Sequence, residues 1–256
     1  MSKRERHARP ATVWVSVQVP GKYRGLVRDV GHKLVSDDAA GVAARLKKAL
    51  RGEEEEIEST KLTYPDSLKR WHDGWPKFWE RFGVEVTDAD LVLPPYRHGF
   101  NWSIVEPAGL TNSRVYAFCG QEFACWRYQW NNLDVIQPAN ELGQRVENAR
   151  VVLVRDTEEE PDQEWLGKSA EFIWLQKIPV LTIRKRMILE LRFSLETSRH
   201  MDSVNWVICA GSRDPDGDVP VAGWDPFINI FKMDGASSVR SHSGFGVREA
   251  VLGPVP

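Results

Sequence analysis

Short apolar runs of strand length alternate with helical patterns along this sequence, but in no regular order. The strand-like runs are residues 102–105, 125–130, 151–154, 204–209 and 227–233, and the two longest helical patterns are residues 111–122 and 180–198. A parallel α/β fold would connect its strands through helices in a regular rhythm, which this chain lacks. The sequence therefore predicts an α+β fold, in which a mixed or antiparallel sheet packs against several helices.

Two further segments of the main domain have a distinct composition. Residues 65–82 carry aromatic side chains at helical spacing, interrupted by Gly74 and Pro76. Because proline is tolerated in a first helical turn, this pattern predicts two short helices with a shared buried face. Residues 131–148 are polar and contain Pro138 and Gly143, which predicts a surface loop.

The N-terminal part of the chain differs from the rest and predicts a small appendage. Residues 1–11 are basic and nearly free of apolar side chains, which predicts a flexible tail. Residues 12–50 combine an alternating apolar run, a Pro-Gly turn and a helical pattern, which predict a hairpin followed by a helix. Residues 51–63 are acidic and predict a solvated linker. We therefore expect the main domain to span residues 64–256.

Composition and charge restrict the possible partners and location. Hydrophobic residues make up 42% of the chain and charged residues 27%, as in ordinary globular domains. The formal net charge is −2, so no overall positive field attracts nucleic acid or anionic membranes. No run approaches the ~18 apolar residues of a membrane helix, and no signal-peptide pattern is present. We therefore expect a cytoplasmic protein without membrane contact.

Tryptophan is unusually frequent, with eleven residues spread along the chain. Scattered large rings are more typical of core packing than of a ligand platform. Exposed tryptophans would instead be suited to anchoring a partner protein or a second copy of the chain. The sequence leaves open which rings are exposed.

The three cysteines lie in apolar surroundings and are odd in number. This is typical of buried free thiols in a reducing compartment. Cys119 or Cys125 could act as a nucleophile only if a base such as His98 or His200 lies beside it in the fold.

A cluster of aspartates follows the predicted strand 204–209. Asp214, Asp216 and Asp218 alternate, and Asp225 falls where a calcium loop places its last ligand. The loop lacks the glycine that such loops have at their sixth position, and Pro-Asp-Gly is also an ordinary turn signal. A plain turn and a weak divalent-cation site both remain open.

Two other polar groups lie close to predicted strand ends. Ser212 and Arg213 could bind an anion, although Arg213 could equally pair with the neighbouring aspartates. Asp156 follows the strand-like run 151–154, so it could join Asp214 or Asp216 around a metal ion or a water molecule. An ordinary ion pair at the strand end would explain Asp156 as well.

The helical pattern 180–198 carries basic residues away from its apolar stripe. These residues are Arg184, Lys185, Arg186 and Arg192. An exposed basic face of this kind could contact the phosphates of a nucleic acid. A solvated helix face is the simpler interpretation.

Three stretches of the main domain have a distinctive sequence: residues 122–128, 154–156 and 209–224. They resemble a set of uncharacterised bacterial hypothetical proteins, and the resemblance covers about residues 75–250. It implies no activity, ligand or site residue.

The chain lacks the common nucleotide-binding, zinc-protease and α/β-hydrolase motifs. This favours a non-catalytic binding or assembly module, with a protein partner or self-association as the preferred interaction. Two alternatives stay open. One is a hydrolase or nuclease that uses the aspartates and a divalent cation, and the other is a nucleic-acid-binding protein that uses the basic helix.

Overall fold

Helices and mixed sheets make up the described part of the chain, which is residues 64–128 and 130–253 of a computed structural model. These residues belong to one unit, Leu62–Pro256. The predictions of a basic tail, a hairpin-helix appendage and an acidic linker concern residues 1–63, which lie outside the described residues.

Four of the six described α-helices lie where the sequence predicted helices. In the described residues the α-helices are α1 (Asp66–Asp73), α2 (Trp75–Glu80), α3 (Asn112–Glu122), α4 (Glu141–Asn148), α5 (Ala170–Leu175) and α6 (Ile183–Thr197). Helix α5 was not predicted, and helix α4 lies where the sequence predicted a loop. It is polar, and it starts because the Asn140 side chain accepts a hydrogen bond from the backbone N–H of Gly143.

The strands are short, apart from one hairpin. They are β1 (Trp102–Val105), β2 (Cys125–Arg127), β3 (Gln137–Pro138), β4 (Val151–Val154), β5 (Trp206–Ile208), β6 (Ser212–Arg213), β7 (Val219–Asp225), β8 (Ile230–Ala236), β9 (Phe245–Gly246) and β10 (Val251–Leu252). The predicted strand 227–233 is displaced along the chain. Its first residues form the turn between β7 and β8, where Asn229 has a φ of 57°.

These strands form three sheets. The largest has the order β2-β8-β7-β5-β9, with antiparallel β7–β8 and β5–β7 pairs and parallel β2–β8 and β5–β9 pairs. A second, antiparallel sheet has the order β1-β4-β10, and β3 pairs with β6. Mixed and antiparallel sheets packed with helices confirm the α+β prediction.

Helix α6 lies at the centre of the core. Thr182 caps its start by accepting a hydrogen bond from the backbone N–H of Lys185, and Ser198 ends it in the left-handed conformation. Ten of its fifteen residues are buried. A helix buried this far around its circumference must carry its charged residues into the interior with their own partners.

The aromatic residues of α1 and α2 pack against β1. Trp71 donates its indole N–H to the carbonyl oxygen of Ser103 at 2.8 Å, and Trp79 donates to that of Val105 at 3.0 Å. Trp75, which is fully buried, donates to the hydroxyl group of Ser103 at 3.0 Å. The two predicted aromatic helices are therefore confirmed, and their tryptophans belong to a core cluster.

Within the described residues, no helix combines the length and the apolar character that crossing a membrane would require.

Candidate functional site

The basic residues of α6 do not form an exposed face. Arg184 is held by Glu106 at 2.7 Å and also by Glu147, and the fully buried Lys185 pairs with Glu106. Burial alone would lower the pKa of the Arg184 guanidinium, but the two carboxylates outweigh it and raise that pKa. The prediction of a solvated basic face is therefore wrong here, because carboxylates from two other elements hold these cations.

Arg186 belongs to a network of four charged side chains with no exposed surface. It pairs with Glu190 and with Asp202, both at 2.8 Å, and Arg248 pairs with Asp202 at 2.6 Å. Arg248 also donates to the hydroxyl and carbonyl oxygens of Thr157. The network thus joins α6 to the segment after β4 and to the C-terminal segment before β10. The pairing offsets the cost of burying these four charges, because buried charges need partners of opposite sign.

Arg192 is enclosed by aromatic rings. Its guanidinium lies 4.9 Å from the ring centre of Trp71, 4.7 Å from that of Trp75 and 5.5 Å from that of Phe78. Burial lowers the pKa of Arg192 to about 10, so the group remains charged at neutral pH. It binds α6 to α1 and α2 through cation–π contacts. Like Lys185 and Arg186, it is not placed to reach a phosphate.

The aspartate segment forms a tight turn. One carboxylate oxygen of Asp214 accepts hydrogen bonds from the backbone N–H groups of Asp216 and Asp218, at 3.0 and 2.9 Å. The other accepts from the indole N–H of Trp130 at 3.1 Å. Gly217 supplies the positive φ of 91° that this turn needs. The plain-turn interpretation therefore describes the segment.

Asp225 lies apart from this turn, at the end of β7. Its carboxylate accepts a hydrogen bond from the backbone N–H of Phe227 and lies 3.7 Å from the ammonium group of Lys232. Within residues 64–128 and 130–253, no three His, Cys, Asp or Glu side chains are grouped so that they could hold a metal ion. The predicted set of Asp214, Asp216, Asp218 and Asp225 is therefore not brought together as ligands.

The remaining polar candidates have structural contacts of their own. The Ser212 hydroxyl accepts a hydrogen bond from the backbone N–H of Ile183 at the start of α6. The Arg213 guanidinium lies 4.2 Å from the ring centre of Trp174. Asp156 accepts hydrogen bonds from the Asn101 amide at 3.1 and 3.2 Å. Among the described residues, no donor bonds to both Asp156 and Asp214.

The three cysteines are free thiols with raised pKa values. Burial raises the pKa of Cys125 and of Cys209 to about 12, and that of Cys119 well above its usual value. All three are thus protonated at neutral pH and poorly suited to act as nucleophiles. His200, considered as a base, instead contacts Glu190 at 2.9 Å and stacks on Trp224.

Exposed apolar side chains gather at one end of the five-stranded sheet. The described residues expose ten large apolar side chains, and four of them come from three segments near this end: Trp126 of β2, Val204 two residues before β5, and Phe227 and Ile228 in the turn between β7 and β8. Phe227 is 97% exposed and Trp126 is 41% exposed. Apolar groups that gather on a surface mark interaction sites more often than isolated ones do.

The strand register explains this gathering. Trp126 pairs with Lys232, Lys232 pairs with Gly223, and Trp206 of β5 packs on Gly223. The Lys232 ammonium lies 5.4 Å from the ring centre of Trp126 and 5.3 Å from that of Trp206. A Cβ atom on Gly223 would lie 2.5 Å from the Trp206 ring, so the lack of a side chain at this position leaves room for the ring.

We call this region the hairpin-end surface and define it by Trp126, Val204, Trp206, Phe227, Ile228 and Lys232. Asp225 borders it. The sequence did not predict it, because Phe227 and Ile228 were assigned to a strand. The signal for the exposed turn was the pair Pro226 and Asn229, since proline initiates turns and asparagine tolerates positive φ.

No family model, curated protein or solved structure matches this chain. The resemblance to bacterial hypothetical proteins therefore stays a prediction.

Proposed function

We propose that this protein is a non-catalytic binding module that receives a partner protein on the hairpin-end surface. The observation that carries the proposal is the concentration of exposed apolar side chains there, with Phe227 almost fully in solvent. Apolar surface left in water forgoes about 25 cal/mol per Å², so a partner that covers it gains this free energy. Tryptophan and other large aromatic residues are frequent anchors in protein interfaces.

The support beneath the surface also favours binding. The β7–β8 hairpin has seven paired positions, and Lys232 is held between two tryptophan rings. Side chains that are ordered before binding lose less conformational entropy when a partner arrives. The paired hairpin and the contact between Lys232 and Trp126 therefore favour docking on this part of the surface.

The two alternative functions have less support. The oxygens of Asp214 are occupied within its turn, and Asp156 contacts Asn101 rather than that turn. A hydrolase that uses these carboxylates would have to rearrange the turn. A nucleic-acid-binding protein would need accessible cations, and Lys185, Arg186 and Arg192 are buried.

Site-specific photo-crosslinking in the producing cells tests the proposal. A benzophenone amino acid replaces Phe227 in one variant and Leu175 in a control variant, since Leu175 is a 79% exposed apolar residue on α5. We expect a protein adduct from position 227 that is absent from position 175 and is lost when Trp126→Ala is added. No adduct, or equal adducts from both positions, would overturn the proposal.

A further inference from the structure

We infer that the partner on the hairpin-end surface is a second copy of this chain, related to the first by a twofold axis. This inference rests on the proposed function and specifies its partner. Twofold dimers are the commonest soluble oligomers, and they require a surface that complements itself.

The surface of each copy carries one positive and one negative side chain, so two copies can face each other with opposite charges in contact. Lys232 and the bordering Asp225 have opposite signs, and their side chains retain 26% and 20% of their exposure. They lie 3.7 Å apart, which is long for an ion pair and leaves each group able to take a second partner. In a twofold arrangement, Lys232 of each copy faces Asp225 of the other. Neither copy repels its partner.

The balance of charge also argues against a nucleic acid or an anionic membrane as the occupant. Nucleic acids and anionic lipid surfaces require an excess of positive charge, because their affinity comes largely from neutralised phosphates. Lys232 is balanced by Asp225 here, and the remaining residues of the surface are uncharged. A surface that is neutral, apolar and aromatic fits a partner with the same properties.

The exposed area fits the centre of a small dimer interface. A large aromatic side chain offers ~150–250 Å², so Phe227 with the exposed parts of Trp126, Val204 and Ile228 supplies on the order of 400 Å² of apolar surface. Stable interfaces bury about 800 Å² on each partner, including a polar rim. The hairpin-end surface thus provides about half of that area, and we expect a weak dimer whose dissociation constant lies in the micromolar range.

Sedimentation velocity of the purified full chain provides the first test. The expected result is a concentration-dependent shift from a species of 29.2 kDa toward one of twice that mass, at concentrations from roughly 1 to 500 µM that bracket weak interfaces. Phe227→Ala should raise the dissociation constant at least tenfold, whereas the exposed control Leu175→Ala should leave it unchanged. A chain that stays monomeric throughout, or a dimer that Phe227→Ala does not weaken, overturns the inference.

Charge exchange then tests the twofold arrangement. Lys232→Glu makes this part of the surface acidic, and Asp225→Lys makes it basic, so each variant alone should dimerise at least tenfold more weakly. An equimolar mixture should form a heterodimer, because each substituted charge then faces its opposite. Circular dichroism and thermal melting verify that both variants are folded. Failure of the mixture to associate overturns the twofold arrangement.

The two proposals fail in different ways. If the purified chain is monomeric while position 227 crosslinks to a different protein, only the second-copy inference fails. If position 227 gives no specific adduct of any kind, the binding function fails with it.

Discussion

Replacing Asp202 by asparagine tests how far the buried network of four charges stabilises this fold. Asp202 pairs with Arg186 at 2.8 Å and with Arg248 at 2.6 Å, and all three side chains are fully buried. Asparagine has nearly the same size and tolerates the positive φ of 53° at this position. The substitution thus removes one negative charge with little change in shape.

The size of the effect follows from the balance of charges. The network contains two arginines and two carboxylates, so the substitution leaves one buried positive charge without a partner. Breaking a buried ion pair in this way costs about 3–5 kcal/mol. A domain of this length loses roughly 2–4 °C in melting temperature per kcal/mol, so we expect Tm to fall on the order of 10 °C.

Urea unfolding at pH 7, followed by tryptophan fluorescence, measures the free energy of unfolding directly, and thermal melting gives Tm. Asp66→Asn is the matched control, since Asp66 pairs with Lys69 at 3.4 Å and both side chains are largely exposed. The control should lose less than about 1 kcal/mol. A loss of less than about 1 kcal/mol for Asp202→Asn as well would refute the reasoning that the buried network needs a balance of charge.

Three further outcomes are expected. Gly223→Ala should destabilise the protein by about 1–3 kcal/mol, because the added Cβ atom would lie 2.5 Å from the Trp206 ring. Gly235→Ala should cost less, since the nearest atom to its added Cβ lies at 3.5 Å. Urea unfolding compares the two variants, and equal losses of unfolding free energy would contradict the steric argument. Burial raises the pKa of Asp162 to about 6, so this carboxyl group stabilises the fold below its unfolded pKa near 4, and the benefit is lost as the pH rises through 6. The unsubstituted protein should therefore lose about 2–3 kcal/mol of unfolding free energy relative to Asp162→Asn as the pH rises from 4 to 7. Urea unfolding at each pH measures both proteins, and a difference between them that does not change with pH would contradict the prediction. The pKa values of Cys125 and Cys209 are raised to about 12. In the folded protein at pH 8, both thiols should therefore react with iodoacetamide at least tenfold more slowly than in the urea-unfolded protein. Mass spectrometry follows the reaction, and equal rates would show that the two groups are accessible thiolates.

Local patterns predicted part of the secondary structure, but they missed helix α5, and they missed strand β7 because its Pro-, Gly- and Asp-rich surroundings were assigned to a turn or loop. Helix α6 and the aromatic helices α1 and α2 follow apolar spacing, and β1 and β4 follow short apolar runs. Helix α4 was missed because it is polar and short, so its start depends on the Asn140 cap rather than on an apolar stripe. The shift of β8 has a similar cause, since an apolar run does not reveal where a hairpin turns.

The positions of the charged residues could not be predicted from local patterns. A basic residue beside an apolar stripe is expected in solvent, yet Lys185 and Arg186 are buried because Glu106 and Asp202 meet them from distant parts of the chain. Such pairing depends on the tertiary fold. The same limitation hid the hairpin-end surface, whose residues come from three separate segments.

The indole hydrogen bonds to β1 have a consequence for how the protein avoids misassembly. Among the described strands, β1 lies at the edge of its sheet, and its Ser103 and Val105 carbonyl oxygens accept hydrogen bonds from Trp71 and Trp79. A phenylalanine at position 79 would fill space but leave the Val105 carbonyl oxygen free to pair with a strand from another molecule. The Ser103 carbonyl oxygen has a second indole donor, since Trp75 also donates to it at 3.2 Å. The indole donors thus occupy outward-facing carbonyl oxygens of β1, the groups through which an uncovered edge strand pairs with another molecule.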